Sequence, residues 1–270
     1  MKTMLRIACL AAPVMLNVAQ ASTLQPGNLI IGSDLTYPPY NFLKQDKPAG
    51  FDTEFIELIA SPLKLKPVVK DTRFASLILG LKSNKFDVIA STLYVTPERA
   101  QQVDFLPYMK TGGSLLVIAG SAFQPQKPED LCGKRVASIK GGAWIARLNK
   151  VSTDYCQSKS LGAISVQEFP TSPEATQALL SAAVDVQYED AAVAKATLEK
   201  TGQRLKISSQ QMIYPVVGLA VNKDNPELLK ELKASLAQRV SDGSYRALLQ
   251  KYNLQMPGAD EISKALAGSL

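Results

Sequence analysis

The sequence predicts an α/β protein: parallel-type sheets flanked by helices, organised in two units. Two observations carry this. Apolar strand-like runs alternate with helix-periodic runs through the first hundred residues, and the same alternation starts again near Gly113.

The elements follow in chain order. Asn28 to Asp34 (NLIIGSD) is a buried strand with a polar end, and Phe51 to Leu63 carries Phe55, Ile56 and Ile59 at helical spacing. KPVVKDT is a second strand, FASLILGLKSNK a second helix and FDVIAS a third strand that ends on Ser91, with Thr92 next. Ligands of such sheets bind beyond the carboxyl ends of the strands, so Asp34 and Ser91 are expected to be neighbours in space. In the second unit, GSLLVIAG and Arg135 to Ile139 read as strands, Lys140-Gly141-Gly142 as a turn, and a helix starts at about Ala143. AISVQEFP is a strand. Ser172-Pro173-Glu174 offers a cap, a proline and an acidic first turn for a helix through Ala183. VDVQYED returns to strand, AAVAKATLEKTG to a helix stopped at Gly202, and VVGLAVNK to strand. Asn225-Pro226-Glu227 caps a helix with Leu228, Leu232, Leu236 and Val240 on one face, and a last helix runs from Tyr245 to Tyr252. From Pro257 onward a loosely held tail is expected.

The first residues have the pattern of a secretory leader: Lys2 and Arg6, the apolar run Ile7 to Leu16, then Ala19-Gln20-Ala21. Cleavage is expected after Ala21, giving an exported chain without a lipid anchor; an uncleaved helix is the alternative. The net charge of +6 loses the two leader cations, and the remaining lysines alternate with acids, which argues against nucleic-acid binding. Cys132 and Cys156 remain in a chain bound for an oxidising compartment and are expected to pair, with two free buried thiols as the alternative. The chain has no histidine, which excludes Ser-His-Asp and Cys-His catalysis and the common histidine-rich metal sites. No metal and no cofactor is expected.

Six segments in order, IGSDLTYPPYNF, AGFDTEFIELIA, FDVIASTLYVTPERAQQVDF, GKRVASIKGG, VDVQYEDAAVA and the run from Leu219 to Tyr252, resemble the solute-binding proteins, family 3, of amino-acid ABC transporters. The resemblance implies a two-lobed periplasmic-binding-protein fold (type II) with two hinge strands. The implied units are a leader at 1–21, a first lobe of 22–112 plus 216–256, a second lobe of 113–215, and a tail at 257–270. It further implies a periplasmic monomer that captures an α-amino acid by hinge closure and hands it to a membrane permease.

Carried over residue by residue, the resemblance makes Arg99 the holder of the ligand α-carboxylate, since a guanidinium presents two parallel donors to two oxygens. Ser91 and Thr92 are implied to add hydroxyl donors, and Asp190 to accept the α-ammonium. The alternatives are a helix-start salt bridge for Arg99 and a helix cap for Asp190. Tyr37 matches a stacking aromatic, Phe51 lies near the same strand ends, and Asp34 matches an acid facing the ligand side chain or serves as a turn former. Gly141, Gly142 and Ala143 occupy the turn where the family has Gly followed by hydroxyl residues, leaving backbone N–H groups to face an anion. Tyr94 and Trp144 depart from the pattern; they line the cleft or face the core. With Asp34 at the wall, neutral or basic amino acids are expected to bind better than acidic ones. The alternative function is a dehydratase-type enzyme on the same scaffold, acting on a prephenate- or arogenate-like substrate, with Glu189 or Lys140 as proton carrier.

Overall fold

The computed structural model describes residues 23–268 apart from 211, 213 and 214; the leader expected at 1–21 lies outside these. Strand β1 (Asn28–Ser33) leads into a small antiparallel sheet of β2 (Thr36–Tyr37), β3 (Asn41–Lys44) and β4 (Lys47–Ala49), which no sequence periodicity announced. Then come α1 (Phe51–Ala60), β5 (Lys66–Asp71), α2 (Leu77–Lys82), β6 (Val88–Ile89), α3 (Pro97–Ala100) and β7 (Asp104–Lys110). β1 lies between β5 and β6, parallel to both, with Ser33 opposite Asp71 and Gly32 opposite Ile89. The strand ends therefore converge, and the Asp34 N–H donates to Ser91 Oγ at 3.0 Å.

The Phe86 ring explains two glycines of this half. A Cβ built on Gly32 would lie 2.5 Å from that ring and one on Gly80 2.6 Å from it, so β1 and α2 approach closely only because neither residue has a side chain.

The second sheet runs β10-β9-β11-β8-β12, built from β8 (Gly113–Ile118), β9 (Arg135–Ile139), β10 (Ser165–Phe169), β11 (Val186–Asp190) and β12 (Leu205–Ile207). β9 is parallel to β10 and β11, while β8 is antiparallel to β11 and β12. Its helices are α4 (Trp144–Val151), α5 (Ser172–Leu180) and α6 (Ala191–Lys200). α5 starts one residue earlier than expected: Thr171, not Ser172, is the cap, in a reciprocal pair with Glu174. The cap moves because Ser172 is committed elsewhere, donating to the Glu189 carboxylate. Cys132 and Cys156 form a disulfide with their Cα atoms 5.4 Å apart, tying the turn before β9 to the segment after α4.

The chain then returns to the first sheet. β13 (Val216–Val221) lies antiparallel between β6 and β7, so that sheet is mixed where a parallel one was expected. Two adjacent segments join the halves, held by Gly113 bridging Met212 and by the Thr111 N–H donating to the Pro215 carbonyl at 3.2 Å. Helices α7 (Pro226–Ser241) and α8 (Ser244–Lys251) cover α1. Asn225 caps α7 by accepting from the Leu228 N–H, and Leu228, Leu232 and Leu236 face the core, whereas Val240, on the last turn, is exposed. The 257–270 tail is not loose through its described residues: Ala259–Ala267 forms α9, which buries Ala265 and anchors Glu261 to Lys110 at 2.7 Å.

Candidate functional site

A narrow, largely apolar cavity lies between the two sheets. The first contributes Asp34, Tyr37, Ser91, Thr92, Tyr94 and Arg99; the second contributes Gly142, Ala143 and Trp144. Phe74 and Ile139 also line it. Sequence reading missed both, since each is an apolar residue at an element boundary with no chemistry of its own.

Phe51 and Asp190 are the expected residues that do not line this cavity. Phe51 is fully buried as the first residue of α1, and its ring sits 6.0 Å from Tyr108 and 5.4 Å from Tyr252. It belongs to the core because the first turn of α1 points toward β7 and α8. Asp190 is fully buried behind Tyr94, where it caps α6 by accepting from the Ala192 N–H at 2.9 Å.

Arg99 sits in the short helix α3, whose N-cap Thr96 accepts from the Arg99 N–H at 3.3 Å. Its guanidinium donates from Nη1 to the Tyr94 carbonyl at 2.7 Å and from Nη2 across the cleft to the Gly141 carbonyl at 2.9 Å. The Phe74 ring lies under it at 5.5 Å. Burial lowers the guanidinium to about 10, still protonated at neutral pH. Among the described residues no carboxylate forms a salt bridge with it. Gly141 turns the chain at φ +80°; its N–H goes to the Glu168 carboxylate and that of Gly142 to the Ile139 carbonyl. Neither N–H is free for an anion, so Gly141 and Gly142 do not play the part expected of this turn.

The acid Asp34 does not present an open charge. Arg73 pairs with it at 3.1 Å, and it accepts from the Thr36 hydroxyl at 2.7 Å and the Phe74 N–H at 2.8 Å. Thr92, in a left-handed conformation at φ 49°, is turned inward. Its N–H and hydroxyl both donate to Asp52 Oδ2, at 2.7 and 3.1 Å, so the hydroxyl expected for the ligand serves the fold. Asp52 also accepts from Tyr108 and Asn41, and its burial raises its pKa.

Three tyrosines reach from the first half to acids of the second. Tyr37 donates to Glu189 at 2.6 Å, Tyr40 to Asp190 at 3.0 Å and Tyr94 to Asp190 at 2.9 Å. Glu189 further accepts from Gln187 and from its neighbour's N–H, both at 2.9 Å, and burial pushes it up to about 7. Burial also raises Asp190. Tyr40 and Thr111, which complete the Asp190 site, escaped sequence reading because a core tyrosine and a strand-end threonine carry no pattern. Trp144 stacks on Tyr188 at 5.1 Å, meets Tyr94 edge-on at 5.7 Å and donates from Nε1 to Ser138 Oγ at 2.6 Å. Both departures from the family pattern thus face the cavity. Lys140 is exposed and does not line it.

The sequence profile of the bacterial extracellular solute-binding proteins, family 3, matches residues 29–255. The L-cystine-binding protein TcyJ of Escherichia coli (strain K12) is 27% identical over 228 residues, covering 84% of this chain and 82% of its own. Among solved structures, an ancestral arginine-binding protein bound to arginine superposes with a TM-score of 0.77 at 33% identity, covering 84% of this chain and 98% of that one. The structure of an ancestral arginine-binding protein bound to glutamine gives the same TM-score at 32% identity and the same coverage. The two-lobed fold, the cavity between the sheets and a family match spanning β1 to the end of α8 agree, and the chain belongs to the bacterial extracellular solute-binding proteins, family 3.

Proposed function

We propose that this chain is an exported, periplasmic binding protein that captures an α-amino acid between two lobes and delivers it to an ABC transporter permease. The observation that carries the reading is the Arg99 guanidinium, which carries a charge without a carboxylate partner among the described residues and touches both walls of the cavity. A ligand α-carboxylate would supply the missing anion, and its ammonium would take the Asp190 carboxylate in exchange for the Tyr94 hydroxyl. Closure is then favoured because the ligand contacts both lobes only when they are together. The moving bodies would be 22–112 with 216–256 on one side and 113–215 on the other.

The side chain would extend toward Phe74 and Asp34. Because Arg73 and two further donors already satisfy Asp34, its charge is offset, and a neutral side chain fits the wall best. A buried acidic side chain would find no cation there beyond the one already paired. The structures bound to arginine and to glutamine support a scaffold that accepts either a basic or a neutral side chain. A thermal-shift screen of the common amino acids, followed by calorimetry of those that raise the midpoint, tests the reading. Binding of at least one neutral amino acid, tighter than glutamate, is expected; no shift with any amino acid would reject it.

A further inference from the structure

The Asp190 carboxylate, to which the reading above gives the ligand's ammonium, already has its acceptor positions filled. Oδ1 accepts from Tyr40 at 3.0 Å, from the Ala192 N–H at 2.9 Å and from the Val193 N–H at 3.4 Å. Oδ2 accepts from Tyr94 at 2.9 Å and from Thr111 at 2.8 Å. A carboxylate offers about four lone-pair sites, so this one is saturated. Tyr40 and Thr111 also lie 2.9 Å apart; with one proton each they make two of the three contacts among Tyr40, Thr111 and Asp190 at a time, which leaves Asp190 at least four donors. Of these donors, Tyr94 alone lines the cavity. Its carbonyl holds Arg99 Nη1 and its ring meets Trp144, so one residue touches both the carboxylate clamp and the ammonium acceptor.

A site shaped around an ammonium ordinarily rejects the analogue that lacks it, because the buried acceptor is left unpaired; such rejection reaches roughly 10⁴-fold. Here the pairing persists without an ammonium. Asp34 is offset by Arg73, so among the lining residues Arg99 carries the positive charge that a ligand carboxylate meets, while the Asp190 charge stays behind the Tyr94 hydroxyl. An amino acid, by contrast, must exchange its ammonium for a phenol already in place.

We propose that the Tyr94 hydroxyl fills the ammonium position on Asp190, so that the cleft admits α-hydroxy and α-oxo carboxylates as a second ligand class beside α-amino acids. This rests on the reading of Arg99 as the carboxylate clamp. Tyr94 acts as the specificity-determining residue: its phenol satisfies the acid when the ligand does not.

The test is calorimetry of the wild-type protein and Tyr94→Phe with three matched pairs: L-leucine and L-leucic acid, L-phenylalanine and L-phenyllactate, L-histidine and imidazole-lactate. For a pair that binds, the two dissociation constants of the wild-type protein are expected to lie within about tenfold, and those of Tyr94→Phe to differ by about a hundredfold or more in favour of the amino acid. Wild-type rejection of the hydroxy acid by more than about a hundredfold, or an unchanged ratio in Tyr94→Phe, overturns the proposal. Where the screen above finds other amino acids, each is paired with its own α-hydroxy acid; binding of amino acids alone overturns only this proposal, whereas no shift with any common amino acid overturns the amino-acid reading with it. A second arm needs no ligand. Tyr94→Phe is expected to lower the melting midpoint in the wild-type background and to leave it unchanged in Asp190→Ala, which has no side-chain acceptor; equal shifts in both backgrounds would overturn the bond on which the proposal stands.

Discussion

Arg99 Nη2 lies 2.9 Å from the carbonyl of Gly141, so a side chain carried by the first sheet is bonded to the backbone turn that opens the first helix of the second. The same guanidinium holds the Tyr94 carbonyl at 2.7 Å. Two carbonyls fix its plane but leave its charge to be met by an anion.

Arg99→Ala is therefore expected to weaken amino-acid binding by about 2–5 kcal/mol, with little loss of folding stability, since the residue is half-buried at the cleft and not in the core. Calorimetry with the tightest amino acid, alongside circular dichroism of the variant, checks both halves. Wild-type affinity in the variant would remove the clamp.

Arg73 sets what Asp34 can do. In Arg73→Ala the carboxylate keeps its bonds to Thr36 and Phe74 but loses its cation at 3.1 Å. Selectivity is expected to move toward arginine and lysine by about tenfold relative to glutamine. Competition binding measures this ratio directly; a constant ratio would show that Asp34 does not reach the side chain.

Glu189 gives the protein a pH dependence whose sign can be stated. Its folded-state value of about 7 lies above the ordinary 4.5, so the folded state holds its proton more tightly than the unfolded chain. The stabilisation is full below the unfolded value and is lost as pH rises through the folded value, a fall on the order of 3 kcal/mol. Asp52 and Asp190, also raised by burial, act in the same direction. Glu189→Gln should flatten the decline of the melting midpoint from mildly acidic to neutral pH. An unchanged profile in the variant would assign the dependence to the aspartates.

Reduction of the Cys132–Cys156 bridge is expected to destabilise the protein by about 2–4 kcal/mol. Urea unfolding of the Cys132→Ser, Cys156→Ser double variant gives the figure, and peptide mapping without reductant establishes the pairing in the purified chain.

The sequence by itself determined the alternation of strands and helices in the two large sheets and most of the residues that line the cavity, but not the small sheet β2–β4, the strands β7 and β12 or the helices α3 and α9. Strand and helix periodicities report local burial, and the rule that ligands meet strand ends is enough to bring Asp34 and Ser91 together, as their 3.0 Å bond does. The departures at Tyr94 and Trp144 were visible as residue types, but their facing was not.

Tertiary structure alone decided which polar groups are free and which are spent. Tyr94 and Asp190 are 96 positions apart, Tyr37 and Glu189 152, and Thr92 and Asp52 40, so no local pattern encodes their bonds. Asp34 read as an open charge because Arg73 meets it only across the sheet edge. Phe51 read as a pocket residue because helix orientation, which depends on what packs above it, chooses the side its first turn faces. The tail read as loose because α9 gains stability from burying Ala265 and from the Lys110–Glu261 pair, both supplied by the first sheet. Hydrogen bonds and ion pairs of this kind are satisfied by whichever distant group the fold brings within about 3 Å, and that choice belongs to three-dimensional packing, not to the spacing of residues along the chain.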